Sequence, residues 1–206
     1  MINKKSLLNG IGDESMTEKY YDDWALNYDL TLKKWRYKAP QKAVKILSKI
    51  KKTLNFNLDL ACGTGMFAEE IKKKYKNIIM DGCDISSKSL KIARKKNLYR
   101  KLFKKSFEKK IKITYKYDSI SMIGSMTYCK KPEALFSLIC SYLNKNGIFI
   151  FTHRIDLWEK QNFDKLIEEF KKYLKIEYRS RPLNYLPENI DFSNKVKIRI
   201  IALKKI

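Results

Sequence analysis

Apolar positions along the chain switch between helical and strand periods in a regular order. Tyr20, Tyr21, Trp24 and Tyr28 recur at helical spacing and predict a helix over Met16–Asp29, with Thr17 as its N-cap. Ala43, Val44, Leu47 and Ile50 share one face of a second helix after Pro40. Then the periods alternate. An apolar strand, Phe56–Ala61, meets a glycine turn, and helical spacing resumes over Met66–Tyr75. A strand led by Ile78-Ile79-Met80 ends near Asp84, and Ser86 and Ser87 suit the cap of a helix through Lys96. Further strands are expected near Leu102-Phe103, over Tyr117–Ile123 and over Ile148–Thr152. Helices are expected from Pro132 to Leu143 and over Phe163–Leu174, with a turn at Asn144–Gly147. Two closing strands, Ile176–Arg179 and Val196–Leu203, flank a loop carrying Pro182 and Pro187.

Strands alternating with helices imply a mostly parallel sheet covered on both faces. The last two strands imply an antiparallel edge hairpin. The expected fold is therefore α/β and Rossmann-like, seven-stranded. An N-terminal helical lid segment (1–38) would precede the ligand-binding domain (39–206).

The stretch Leu58-Asp59-Leu60-Ala61-Cys62-Gly63-Thr64-Gly65 is a strand, a glycine turn and a helix start. Gly63 and Gly65 let a ligand approach the backbone, and the helix N-terminus adds oriented N–H donors. Asp84 closes the next strand, 19 residues after Gly65, where a carboxylate can accept from both hydroxyls of a ribose. A dinucleotide and S-adenosylmethionine (SAM) both fit that geometry. Asp59 separates them. It would repel a pyrophosphate but favour the ammonium and sulfonium of SAM.

With these residues in place, the sequence resembles the class I SAM-dependent methyltransferases. Asp59–Gly65 matches their first motif, and Gly82-Cys83-Asp84-Ile85-Ser86 with Leu90 and Ala93 matches the second. Tyr21-Asp22-Asp23-Trp24-Ala25-Leu26-Asn27-Tyr28-Asp29 is similar to the opening of small-molecule members. More narrowly, Asn97-Leu98-Tyr99, Gly124-Ser125-Met126 and Tyr185-Leu186-Pro187 resemble the Williams–Beuren syndrome region methyltransferase-like proteins. The resemblance implies that Asp59, Ala61, Cys62, Gly63 and Gly65 line the methionine part of SAM, Asp84 holds the ribose and Ile85 packs on adenine. Such enzymes often carry an acid after the third strand. Here Phe103-Lys104-Lys105-Ser106-Phe107 has none before Glu108, so Ser106, by hydroxyl or backbone, and Phe107 take that place. S-adenosylhomocysteine (SAH) would be the product.

On the acceptor side, His153 is the only histidine and follows a strand, with Arg154 beside it. His153 is a candidate for contact with substrate or a plain loop histidine. Arg154 is a candidate for holding an anionic group. Tyr20, Trp24 and Tyr28 are either a lid over SAM, offering cation–π contact to the sulfonium, or core packing.

Composition adds limits. None of Cys62, Cys83, Cys129 and Cys140 forms a CxxC or a zinc-spaced cluster, so reduced thiols and no metal are expected. Residues 1–12 are polar, and no apolar run approaches a membrane span of about 20 residues, so a cytoplasmic protein is expected. The net charge is +23, in basic runs spread along the chain. That suits either a compositional lysine bias or a functional basic surface, such as one facing an anionic membrane. No Asn/Asp-Pro-Pro-aromatic turn follows Asp118, so nucleic acid is disfavoured as acceptor. The reading is a monomeric or homodimeric enzyme methylating a small molecule. Alternatives are a phospholipid-headgroup enzyme, a non-catalytic SAM-binding module and a nicotinamide-dependent oxidoreductase.

Overall fold

The computed structural model describes residues 13–190, 192 and 195–206. The leader expectation for residues 1–12 lies outside the described residues. The chain runs α1 (Glu14–Lys34), α2 (Ala39–Ile50), β1 (Phe56–Leu60), α3 (Met66–Lys74), β2 (Ile79–Asp84) and α4 (Ser87–Lys95). It continues β3 (Lys101–Lys104), β4 (Tyr117–Met122), a 3-10 turn (Met126–Tyr128), α5 (Pro132–Tyr142) and β5 (Leu143–Arg154). It closes with α6 (Ile155–Trp158), α7 (Phe163–Glu169), β6 (Leu174–Arg179), β7 (Leu183–Asn184) and β8 (Lys197–Lys205).

The strands form one sheet in the order β3-β2-β1-β4-β5-β8-β6, with β7 paired to β8. The strands from β3 through β5 are parallel, while β8 runs antiparallel to both β5 and β6. This is the expected Rossmann-like fold, with β7 as an added eighth strand. The last strand inserts between β5 and β6, so β6 becomes the edge.

Side-chain alternation splits the core into two layers. Ile148 and Ile150 of β5 with Ile200 and Ala202 of β8 pack on α2 and α3 residues such as Leu47 and Ile71. Phe149, Phe151, Ile201 and Leu203 point the other way, onto Phe136, Ile139 and Phe163. A third cluster joins Trp24 and Leu32 of α1 to Leu186, Phe192 and Ile198.

Several boundaries differ from the sequence reading, each for a physical reason. Asp13, not Thr17, caps α1: its carboxylate accepts from Met16 N at 2.8 Å, and Thr17 sits inside the first turn with its Oγ donating to Asp13 O. The helix at Phe163 stops at Glu169 because Leu174 turns back to pair with Lys205 of β8. Asn144–Gly147 is a bulge within β5 rather than a separate turn; Asn146 takes φ 61° and Asn144 Nδ2 donates to Asp118 Oδ1 at 2.8 Å. Helix α6 was not expected.

No described helix is long and apolar enough to cross a membrane. Among the described residues no group of three or more His, Cys, Asp or Glu side chains could hold a metal ion. All four cysteines are free thiols.

Candidate active site

The site forms where β1, β2 and β4 end, at the carboxyl edge of the sheet. After Leu60 the chain must reverse within a few residues. Ala61, Gly63 and Gly65 take φ of 53°, 53° and 92°. The turn is closed by Gly65 N donating to Cys62 O at 2.9 Å, and Cys62 N donates to Cys83 O at 3.0 Å. Gly65 then caps α3, and a Cβ there would meet the Tyr99 ring at 3.3 Å. A Cβ built on Gly63 meets nothing within 4 Å, so that position opens to the cleft.

The cleft has a cavity volume of about 160 Å³ and opens to solvent. Ala61, Gly63, Asp84, Ile85, Ser106 and Phe107 line it, all expected from the sequence. Asp84 is oriented by two backbone donors, Gly63 N and Ser86 N, each at 2.8 Å. Burial raises its pKa to about 6, against the opposing pull of those N–H groups. Glu14 of α1 and Glu108 of the loop after β3 also line the cleft. Glu108 Oε1 accepts from Lys130 N at 2.8 Å and Lys131 N at 2.6 Å, tying the loop after β3 to the one after β4.

A smaller annex adjoins the cleft and shares Tyr28, Ala61, Gly63 and Ile123 with it. Asp59 and Cys62 line the annex. Asp59 accepts from Tyr99 Oη at 2.7 Å and Ser121 Oγ at 2.8 Å. Burial raises it to about 7 despite those two donors, and the negative charge of Asp84 adds to the rise. Tyr37 also lines the annex; its hydroxyl is buried with no hydrogen-bond partner among the described residues.

On the far wall stand Tyr21, Tyr28, Gly124, Ser125 and Tyr128. The Tyr21 and Tyr128 hydroxyls lie 2.7 Å apart. Gly124 is held by its N–H donating to Thr152 Oγ1 at 2.7 Å, and a Cβ there would lie 2.7 Å from Tyr37 Oη. Helix α1 bonds to both ligand-facing turns. Asp29 accepts from Thr64 Oγ1 and, at 2.6 Å, from Lys96 Nζ. Asp22 accepts from Ser86 Oγ at 2.6 Å and Lys88 N at 2.9 Å.

Five expected residues line neither cavity. Gly65 serves as the helix cap. Trp24 is buried beside Leu32 and Trp35, with Nε1 donating to Thr31 Oγ1 at 3.4 Å, and Tyr20 packs against that cluster. His153 is 1 % exposed on β5 opposite Arg199, with Nε2 at 2.9 Å from Gln161 Oε1 and its ring against Trp158 and Phe163. Burial lowers its pKa to about 4, so it is neutral at neutral pH. Arg154 forms a two-point pair with Asp156, at 3.0 and 2.5 Å, and lies over the Phe192 ring. Burial raises the pKa of Tyr128 and Tyr185, and the Arg154 charge opposes that rise.

Sequence reasoning passed over Glu14, Tyr37, Tyr128 and Lys130. Only Tyr128 carried a signal, its place just after Gly124-Ser125-Met126.

A Rossmann-like sheet with a glycine turn after β1 and a carboxylate at the end of β2 has room and donors for a nucleoside. The chain belongs to the methyltransferase domain family, which it matches over residues 32–184. It is 29% identical over 143 residues to malonyl-[acyl-carrier protein] O-methyltransferase 2 of Ilyobacter polytropus, covering 59% of this chain and 54% of the relative. It is 25% identical over 139 residues to carboxy-S-adenosyl-L-methionine synthase of Campylobacter curvus, covering 62% and 56%. The chain thus spans about half the length of these curated relatives. Among solved structures, magnesium protoporphyrin IX methyltransferase of Synechocystis PCC 6803, with bound SAM, superposes at a TM-score of 0.67 with 13% identity over 95% of this chain and 98% of that one. The [4+2]-cyclase SpnF gives 0.70 with 14% identity over 95% and 97%. At such identities these structures share the fold.

Proposed function

We propose that the protein is a SAM-dependent methyltransferase acting on a small-molecule acceptor. The observation that carries the reading is the pair of carboxylates, half-buried Asp84 on the cleft wall and buried Asp59 in the annex. Asp84 suits a ribose, with Ile85, Ser106 and Phe107 around the base. Asp59 suits the cationic methionine end, and the buried hydroxyl of Tyr37 offers a donor to its carboxylate. A pyrophosphate beside Asp59 would be repelled, which disfavours a dinucleotide. The narrower likeness to the Williams–Beuren syndrome region proteins belongs to the same reading, since Tyr99 holds Asp59 and Tyr185 stands near Gly124.

When bound, SAM supplies a methyl group on a sulfonium, open to in-line displacement. The chain's own residues then bind, align and exclude water. Residues 13–38 are the described part of the expected lid segment, and they wall the cleft with Tyr21 and Tyr28. With His153 and Arg154 engaged elsewhere, neither is assigned a role at the acceptor. Desolvation raises the pKa of Tyr28 well above its usual value, so it stays a neutral hydrogen-bonding wall.

Calorimetry with SAM, SAH and NAD tests the cofactor; NAD binding without SAM binding would overturn it. Asp84→Ala should weaken SAM at least about tenfold, or ~1.4 kcal/mol. SAH production against a panel of carboxylic acids, amines, phenols and thiols tests the reaction. SAM binding without turnover on any of them would favour a non-catalytic module.

A further inference from the structure

The basic charge is concentrated in the fold. Of the 29 residues 88–116, thirteen are Lys or Arg and one, Glu108, is acidic. This stretch supplies a net +12 of the chain's +23. It builds α4, the sheet-edge strand β3 and the loop that follows.

Half of this surface already has an occupant. Glu14, Glu18 and Asp22 of α1 form an i, i+4, i+8 stripe, which is one face of a helix. Glu14 meets Lys109 at 2.9 Å and Glu18 meets Lys104 at 2.8 Å. Asp22 accepts from Ser86 and Lys88 at the start of α4. The chain therefore lays an acidic helix face across its own basic edge.

The outer half has none. Lys101, Lys105, Lys110, Lys112 and Lys116 are exposed and meet no carboxylate among the described residues. On α4, Lys91, Arg94 and Lys95 are exposed in the same state. Lys105 also lines the cleft. No large apolar side chain in 88–116 is exposed, so the surface lacks what would insert into a bilayer. Nor does it expose an aromatic ring for a base to stack on.

We propose that this edge is a docking surface for an acidic protein segment, bound beside the cleft mouth. The complement is the one α1 shows: carboxylates at helical spacing meeting lysines on β3 and the loop after it. The inference does not depend on which cofactor fills the cleft.

The test uses the full chain and a fluorescent acidic helical peptide with glutamates at i, i+4 and i+8. Duplex DNA and phosphatidylserine vesicles serve as competing probes. The peptide should bind at low salt, more weakly as salt rises. The combined change Lys101→Glu, Lys110→Glu, Lys112→Glu and Lys116→Glu should weaken it at least about tenfold. Reversing Lys160, Lys165, Lys172 and Lys175, near the opposite sheet edge, should change it less than about twofold. An unchanged circular dichroism spectrum and Tm in both variants report an intact fold. Three results would overturn the proposal: no peptide binding, tighter binding of DNA or vesicles, or equal loss in the two variants.

Discussion

Two carboxylates whose pKa values desolvation raises toward neutrality make cofactor affinity depend on pH, and the dependence can be worked out. In the free protein Asp59 titrates near 7 and Asp84 near 6, both displaced upward chiefly by desolvation. A cationic methionine end favours ionised Asp59, and a ribose donates to ionised Asp84. Binding therefore expels protons. At about pH 6.5 these two values imply the loss of about one proton per SAM bound. Between about pH 8 and about pH 5.5 the Kd should rise on the order of 100-fold, or ~2.7 kcal/mol. The assay is isothermal titration in buffers of different ionisation enthalpy, which reads the protons released directly. Asp59→Asn should remove the larger part of the slope and leave the part centred near 6. SAH, which lacks the sulfonium charge, should show a shallower slope than SAM. A Kd independent of pH, or one that falls on acidification, would refute the reasoning.

Unfolding would report the same groups less cleanly. Their folded pKa values lie above the unfolded ones, so the stability they contribute is full below about pH 4 and is lost as pH rises through 6 and 7. His153 has the opposite sign. Its folded pKa near 4 lies below the model-compound value of 6.5, so its contribution is lost as pH falls between them. The two trends oppose each other, which is why ligand binding is the better measurement.

Ala61 adopts φ 53° without being glycine. Ala61→Gly should relieve about 1 kcal/mol of backbone strain and raise Tm; a fall in Tm would show that the Cβ contributes more than the strain removes. Asp29→Asn should loosen α1 from Thr64 and Lys96, raising the KM for SAM several-fold with kcat at saturation preserved and α1 cut faster by protease. His153→Ala should lower stability by about 2–4 kcal/mol by opening a cavity beside Phe163, yet leave the Kd for SAM unchanged. A lost kcat at saturating substrate would instead place His153 in the chemistry.

The sheet and its helices were readable because periodicity records burial, and Phe149/Phe151 against Ile148/Ile150 is that signal in its plainest form. Asp84, Ile85, Gly63, Ser106 and Phe107 were readable because strand ends fix where side chains meet. His153 was misread for a reason of register. A strand predicted to stop at Thr152 continues to Arg154 because Arg199 and Ile198 of β8 pair with its last two residues. That pairing joins positions far apart in sequence and carries the imidazole into the interior. The part of the far wall around Ser125 and Tyr128, with Lys130 beyond it, carried little signal because a short 3-10 turn and its flanking loop have no apolar period.

The opening heptad shows how far a motif can be seen without its meaning. Tyr21-Asp22 and Tyr28-Asp29 are seven residues apart, and two helical turns return each pair to almost the same direction. A helix could therefore present both tyrosines to one surface, as the spacing suggested. What the spacing could not supply was the partner of each aspartate. Asp22 accepts from Ser86 and Lys88 at the start of the helix after Asp84, and Asp29 accepts from the threonine of the glycine turn. The tyrosines wall the cleft while the aspartates join the helix that carries them to both ligand-facing turns. Losing α1 would thus remove a wall and two hydrogen-bonded supports together. Cofactor affinity should accordingly respond to changes on α1 that touch no ligand atom.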